Sequence, residues 1–112
     1  MNYKSYVLVL FSFLFAHKIE SIEIELHQPD GSSFQCYASG DQYYHWVHDQ
    51  EGYSIIQNSR DGYYYYAIKD NGIIVPSDYI VDTINPEEIG LIKNIIISRE
   101  EYINKRNFYW NN

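Results

Sequence analysis

The stretch EGYSIIQNSRDGYYYYAIKDNGIIV, residues 51–75, decides the fold. Its glycines, Gly52, Gly62 and Gly72, stand ten residues apart, and each follows an acidic or amide residue: Glu51, Asp61 and Asn71. Asp-Gly and Asn-Gly enter the positive-φ positions of tight hairpins at little cost, and the residues between them are largely β-branched or aromatic. Residues 53–57, 63–68 and 73–75 therefore read as strands of an antiparallel meander. The spacing repeats hairpins and not a solenoid unit, because the chain is too short for stacked copies.

Upstream, Ile22, Glu23, Ile24, Glu25, Leu26 and His27 alternate with the two-residue period of a strand, placing Ile22, Ile24 and Leu26 inward. Pro29, Asp30 and Gly31 make a turn. A second alternation, Phe34 to Ala38, puts Phe34, Cys36 and Ala38 on one face, and Ser39, Gly40 and Asp41 end it. Residues 43–48, Tyr-Tyr-His-Trp-Val-His, form another strand rich in aromatics. Downstream, Pro76 removes a ladder donor and so marks a strand edge or end. Residues 77–83 have room for one more short pairing.

Beyond the sheet the period changes. Asn85 reads as an N-cap, with Pro86 at the first helical position and Glu88 completing a capping box. Ile89, Ile92, Ile96 and Ile103, supplemented by Leu91, Ile95 and Tyr102, continue an apolar stripe at helical spacing, and Lys105 and Arg106 suit a carbonyl end. The spacing predicts a helix over 85–106, followed by an aromatic tail at 107–112 that carries Phe108, Tyr109 and Trp110. The β-branched residues at 95–97 lower helix propensity, so this helix needs a surface to stand on. The expected fold is α+β: a small antiparallel β-meander sheet, residues 17–84, packed with one C-terminal helix.

Residues 1–16 carry one charge, Lys4, ahead of an apolar run from Val7 to Phe15 that stops at Ala16. This is the pattern of a secretory signal peptide and is short for a membrane span. Removing the first 16 of 112 residues leaves 96, one small domain that is secreted or extracytoplasmic and not membrane-bound. The full chain has 8 Lys+Arg against 15 Asp+Glu, a net charge of -7, which opposes a phosphate backbone and excludes a nucleic-acid reading. Export with a single cysteine, Cys36, supplies no internal disulfide, so packing must stabilise the domain. The material for packing is 13 Tyr, 5 Phe and 2 Trp.

The residues do not assemble catalytic machinery. His45 and His48 stand three apart, which on a strand points them to opposite faces. Glu23 and Glu25 fit the polar side of a strand more simply than an acid–base pair. Cys36 lacks a visible base. The chain alone reads as a non-enzyme with no cofactor and no metal site of its own. Tyr63, Tyr64, Tyr65 and Tyr66 occupy one strand, so two face each side. One pair serves the core, and the other is covered by the C-terminal helix or offered to a partner as an adhesive surface.

Four segments, Gln28-Pro29-Asp30-Gly31, Gly40-Asp41-Gln42-Tyr43-Tyr44-His45-Trp46, Glu51-Gly52-Tyr53 and Asp61-Gly62-Tyr63-Tyr64-Tyr65-Tyr66-Ala67, together resemble the N-terminal prodomain of secreted M6-type zinc metalloproteases, the immune inhibitor A group. The likeness runs over about residues 22–80 and does not extend to a protease domain. In that family such a segment precedes the catalytic domain, assists its folding and keeps it latent. The resemblance implies a stand-alone protein that binds, chaperones or inhibits a secreted zinc metalloprotease, with the zinc belonging to the partner. It makes Asp41 the candidate carboxylate for the open zinc position, with Cys36 as the thiolate alternative, and Tyr43, Tyr44, Trp46, Tyr64 and Tyr66 the candidate contact residues. The alternatives are a secreted protein-binding or adhesion module with a tyrosine-rich face, and a truncated protease fragment.

Overall fold

A computed structural model describes residues 19–111. The expected signal segment, residues 1–16, lies outside them, as does Asn112. Six strands, β1 (Ile19–His27), β2 (Ser33–Gly40), β3 (His45–His48), β4 (Ser54–Gln57), β5 (Tyr64–Asp70) and β6 (Ile73–Ile80), form one sheet in sequence order. Every neighbouring pair is antiparallel. One helix, α1 (Arg99–Asn111), ends the described chain. The α+β meander expected from the glycine spacing is the fold.

The alternation settles which side is inside. Ile24 faces Cys36 across β1 and β2, and Ala38, Val47, Ile55 and Tyr66 line up across β2 to β5. These residues share one face because side chains repeat every second residue and paired positions point the same way. Cys36 is 0% exposed and Ile24, Phe34, Tyr53, Ile55 and Tyr66 are also buried. Burial pushes the Cys36 thiol up to about 12, so Cys36 serves as a small apolar filler and not as a thiolate.

The sheet is curled enough for its first hairpin to meet β5. Buried Gln28, at the end of β1, accepts a hydrogen bond from the Tyr64 backbone N–H at 2.8 Å and donates Nε2 to the Tyr64 carbonyl at 3.2 Å. One side-chain amide thus does for Tyr64 what a neighbouring strand would do. Beside it, the Phe34 and Tyr64 rings meet edge to face at 5.8 Å.

The C-terminal region departs from expectation. In place of a helix over 85–106, residues 86–90 make a turn, residues 91–98 run as a strap without regular secondary structure, and the helix begins at Arg99. Asn85 does cap, accepting from the Glu87 N–H at 3.0 Å, but Gly90 at φ +77 turns the chain out of the helical path at once. The β-branched run at 95–97 then stays outside any helix, in keeping with its low helix propensity. Ser98 is the working N-cap: its Oγ accepts from the Glu101 N–H at 3.1 Å, and Glu101 reaches back to the Ser98 N–H at 3.4 Å, a reciprocal capping box. The helix also passes Lys105 and Arg106 and takes in Phe108, Tyr109 and Trp110, so the expected tail is helical through Asn111.

The strap is tied around the β3–β4 turn. Leu91 and Ile84 pack on the core cluster, the Asn94 N–H donates to the Gly52 carbonyl at 2.8 Å, and Lys93 sits 5.5 Å above the Tyr53 ring. Ser54, on the side of β4 opposite to Ile55, then donates its hydroxyl to the Ile95 carbonyl at 2.7 Å. The strap therefore starts on the core face and finishes on the other, delivering the helix to the β2–β3 loop. No helix Cα comes within 8 Å of a strand Cα.

Candidate functional site

The β2–β3 loop is shaped by two residues. Gly40 has φ +130, and a Cβ there would stand 2.3 Å from the Tyr44 carbonyl oxygen, so this approach of two backbones admits glycine alone. Asp41 then ties the loop to itself. Its backbone N–H donates to the Tyr44 carbonyl at 2.8 Å, and its Oδ1 accepts the N–H groups of Tyr43 at 2.9 Å and Tyr44 at 3.2 Å. This holds Tyr43 out of the loop as a half-buried ring.

Helix α1 docks on that ring. Tyr102 and Tyr109 each meet Tyr43 edge to face, at 6.1 and 5.5 Å, and the Tyr102 hydroxyl donates to Asp41 Oδ2 at 2.5 Å. Burial by itself would raise the Asp41 carboxyl. The Tyr102 hydroxyl, the two backbone N–H groups and the nearby His45 outweigh it and hold Asp41 below its ordinary range. The same bond to Asp41 is the main reason that the Tyr102 phenol is raised, so Tyr102 keeps its proton and remains the donor. Beyond this latch Phe108, Tyr109 and Trp110 are 67%, 58% and 73% exposed. Gln42, Tyr43, Tyr109 and Trp110 line an open cleft of about 150 Å³.

The residues expected at a site are thus divided. Asp41, Tyr43 and Tyr44 come together in the loop, and Tyr44 is half-buried, its phenol raised by burial against a backbone bond from Ile97, with Glu101 adding to the rise. Trp46 stands one strand position further on, tilted over His48 at 4.3 Å. Together with Tyr44, Ile56, Ala67 and Ile95 it borders an apolar cleft of about 290 Å³ where β3 and β4 diverge. Tyr66 is elsewhere, on the core side, 4% exposed and packed on Tyr53 at 6.4 Å, while Tyr64 packs its ring on Phe34 and also borders the apolar cleft. The outward pair of the tyrosine run is Tyr63 and Tyr65, and the helix does not reach their strand.

The sequence marks Tyr109 and Trp110 only as part of a tail that docks on the domain or on another protein, and does not mark Tyr102 as a site residue, although Ser98-Arg99-Glu100-Glu101 carries the capping pattern that places all three on one helix. It also leaves a Ser–His pair unmarked. Ser39 Oγ lies 2.7 Å from His48 Nε2, and His48 Nδ1 lies 2.8 Å from the Asp49 carbonyl, which fixes Nδ1 as the protonated nitrogen and Nε2 as the acceptor. Ser39 Oγ also accepts the Ser21 N–H at 2.9 Å, at the bulge where β1 shifts register. Buried His48 here joins β1, β2 and the β3–β4 turn through its partners.

Compared with known proteins, the chain matches no family model, no curated protein and no solved structure. No described helix is long and apolar enough to cross a membrane.

Proposed function

We propose that this chain is prodomain-like and acts by binding a secreted zinc metalloprotease, as its chaperone or inhibitor, and performs no chemistry of its own. One observation carries the reading. The loop of the Gly40–Trp46 segment, one of the four segments that together carry the resemblance, is also where helix α1 presents Phe108, Tyr109 and Trp110 to solvent beside Tyr43 and Asp41. Exposed aromatic side chains around a fixed loop supply contact area at small rotamer cost, the usual material of an interface centre. Tyr66 sits in the core and contributes to stability; the contact set that this reading uses is Asp41, Tyr43, Tyr44 and Trp46 with Tyr109 and Trp110.

Zinc ligation by Asp41 has a geometric condition. Oδ1 accepts two N–H groups, whereas Oδ2 accepts the Tyr102 hydroxyl, which engages one of its two lone pairs. A partner's metal would approach Oδ2 beside Tyr102. Cys36, 0% exposed, would first require the sheet to open, which removes it from the reading as a ligand.

The test is a titration of the secreted chain against a purified M6-type metalloprotease, with hydrolysis rate and complex formation read together. Slowed hydrolysis and a stable complex at micromolar concentration are expected. Neither effect at that concentration ends the protease reading and leaves an adhesion module as the better one. Inhibition unchanged in Asp41→Ala ends the ligand assignment only.

A further inference from the structure

We infer that the outward side of the β5–β6 pair holds a second, separate site, a cleft for a neutral oligosaccharide with Tyr65 as its platform. This inference does not depend on the protease reading.

The cleft exists because the ladder breaks. Tyr65 pairs with Ile80 and Ala67 with Pro76, so two steps along β5 are matched by four along β6. Ser77, Asp78 and Tyr79 carry the excess in a bulge. A bulge bends its strand and re-aims its side chains, and such breaks concentrate beside functional sites. Here Ser77 turns inward and is buried, its Oγ accepting the Tyr79 N–H at 3.1 Å, while Asp78 is exposed. The opposite wall is the β4–β5 turn, closed by the Gly62 N–H to the Asn58 carbonyl at 2.8 Å and the Asn58 N–H to the Tyr63 carbonyl at 2.8 Å. Between the walls lies an open cleft of about 500 Å³ lined by Gln57, Asn58, Arg60, Tyr65, Ser77 and Asp78 among others.

The chemistry of the lining selects the ligand. A pyranose offers an apolar face of C–H groups and a rim of hydroxyls that each donate and accept. It needs a flat aromatic surface and, close by, planar groups of both hydrogen-bonding senses. The Tyr65 ring is fixed for that role, since its hydroxyl donates to Asp61 Oδ2 at 2.5 Å. Around it Arg60 supplies donors, Asp78 acceptors, and Gln57 and Asn58 both. Arg60 and Asp78 form no ion pair with each other, so the cleft presents one charge of each sign without cancelling them. An anionic ligand would meet Asp78 and a chain of net charge -7, and a cationic one would meet Arg60; a neutral polyhydroxyl compound meets neither penalty. An apolar ligand would leave these polar groups without partners.

The experiment is a backbone-amide NMR titration of the chain with cellohexaose, N-acetylchitohexaose and mannohexaose, each to millimolar concentration, beside a neutral Gly-Ser hexapeptide. At least one hexaose should shift the amides of Arg60, Tyr65 and Asp78 with a saturable profile, and the peptide should not. Tyr65→Ala should weaken that binding by about tenfold or more, Asp78→Asn by several-fold, and Tyr65→Phe, which keeps the ring, by about twofold at most. All three variants are checked for native amide dispersion first. Should Tyr65→Ala lose that dispersion, Asp78→Asn and Tyr65→Phe decide by the same criteria. No saturable shift with any hexaose, shifts confined to other strands, equal response to the peptide, or unchanged affinity in Tyr65→Ala or, if that variant is unfolded, in Asp78→Asn would each overturn the assignment.

Discussion

The sheet core and the C-terminal helix are held by different kinds of contact. In the core, Ile24, Cys36, Ile55 and Tyr66 are fixed by strand pairing, which for Ile55 comes from both sides, and by burial. The helix is attached through a strap with a few side-chain contacts and through one loop: Ser54 to Ile95, Asn94 to Gly52, Tyr102 to Asp41, and the rings around Tyr43. Redundant contacts give a cooperative unit, whereas a helix docked at one point is free to respond to a partner at little cost to the rest. The difference places most of the stability of this protein in the sheet and its exposed aromatic side chains, Phe108, Tyr109 and Trp110, on the helix.

The largest break in that comparison comes from aromatic truncations in the two regions. Tyr66→Ala, which empties a buried site beside Tyr53, is expected to cost about 3–5 kcal/mol in denaturant unfolding. Trp110→Ala, at a residue 73% exposed, should stay within about 0.5 kcal/mol of the parent. Equal costs would mean that the helix end is buried in solution and that the two regions form one unit.

Next in size is Gln28→Ala, which strips the Tyr64 N–H of its partner, while the Tyr64 carbonyl keeps the Val81 N–H at 3.1 Å. A loss of about 1–2 kcal/mol in the same unfolding assay is expected, because a half-buried N–H is left unsatisfied. Ser98→Ala sharpens the comparison from the other side: removing the cap should cost the helix about 1 kcal/mol, seen as lower far-UV helical signal with the sheet's amide spectrum unchanged.

The smallest effect belongs to the latch. Tyr102→Phe removes one solvent-screened hydrogen bond and should loosen the helix by about 0.5–1 kcal/mol, read as faster hydrogen exchange in residues 99–111 alone. The sign of its pH dependence follows from the depressed Asp41 carboxyl. A carboxyl lowered in the folded state contributes its stabilisation above the ordinary value of 3.8 and loses it as pH falls from there through the lowered value. Helix docking should therefore weaken in acid below about pH 4 in the parent, and Tyr102→Phe should flatten that dependence.

The meander was legible because its signals are local. Ile22, Ile24 and Leu26, and Phe34, Cys36 and Ala38, alternate in sequence as they do in space, and the acidic-Gly and Asn-Gly pairs stand where the chain reverses. The helix start was misread because Asn85 and Pro86 carry a valid cap, which the chain uses for one turn before Gly90 diverts it. The stripe of Ile89 and Ile92 had the right period, yet these residues end 40% and 71% exposed, so no sheet face stabilised a helix there. Of the candidate site, Asp41 and Tyr43 were visible from their place beside Gly40, but the residues that meet them, Tyr102 and Tyr109, lie some sixty positions along the chain.

The sequence by itself determined the strands, their order, the inward face and the turns, because each follows from side-chain period and backbone freedom over a few residues. Only the tertiary structure decided that the strap crosses from one face of the sheet to the other, that the helix docks on the β2–β3 loop, and that a two-residue excess in β6 opens a polar cleft. Those outcomes depend on curl, register and the competition of distant segments for the same surface, none of which leaves a periodic mark on the chain.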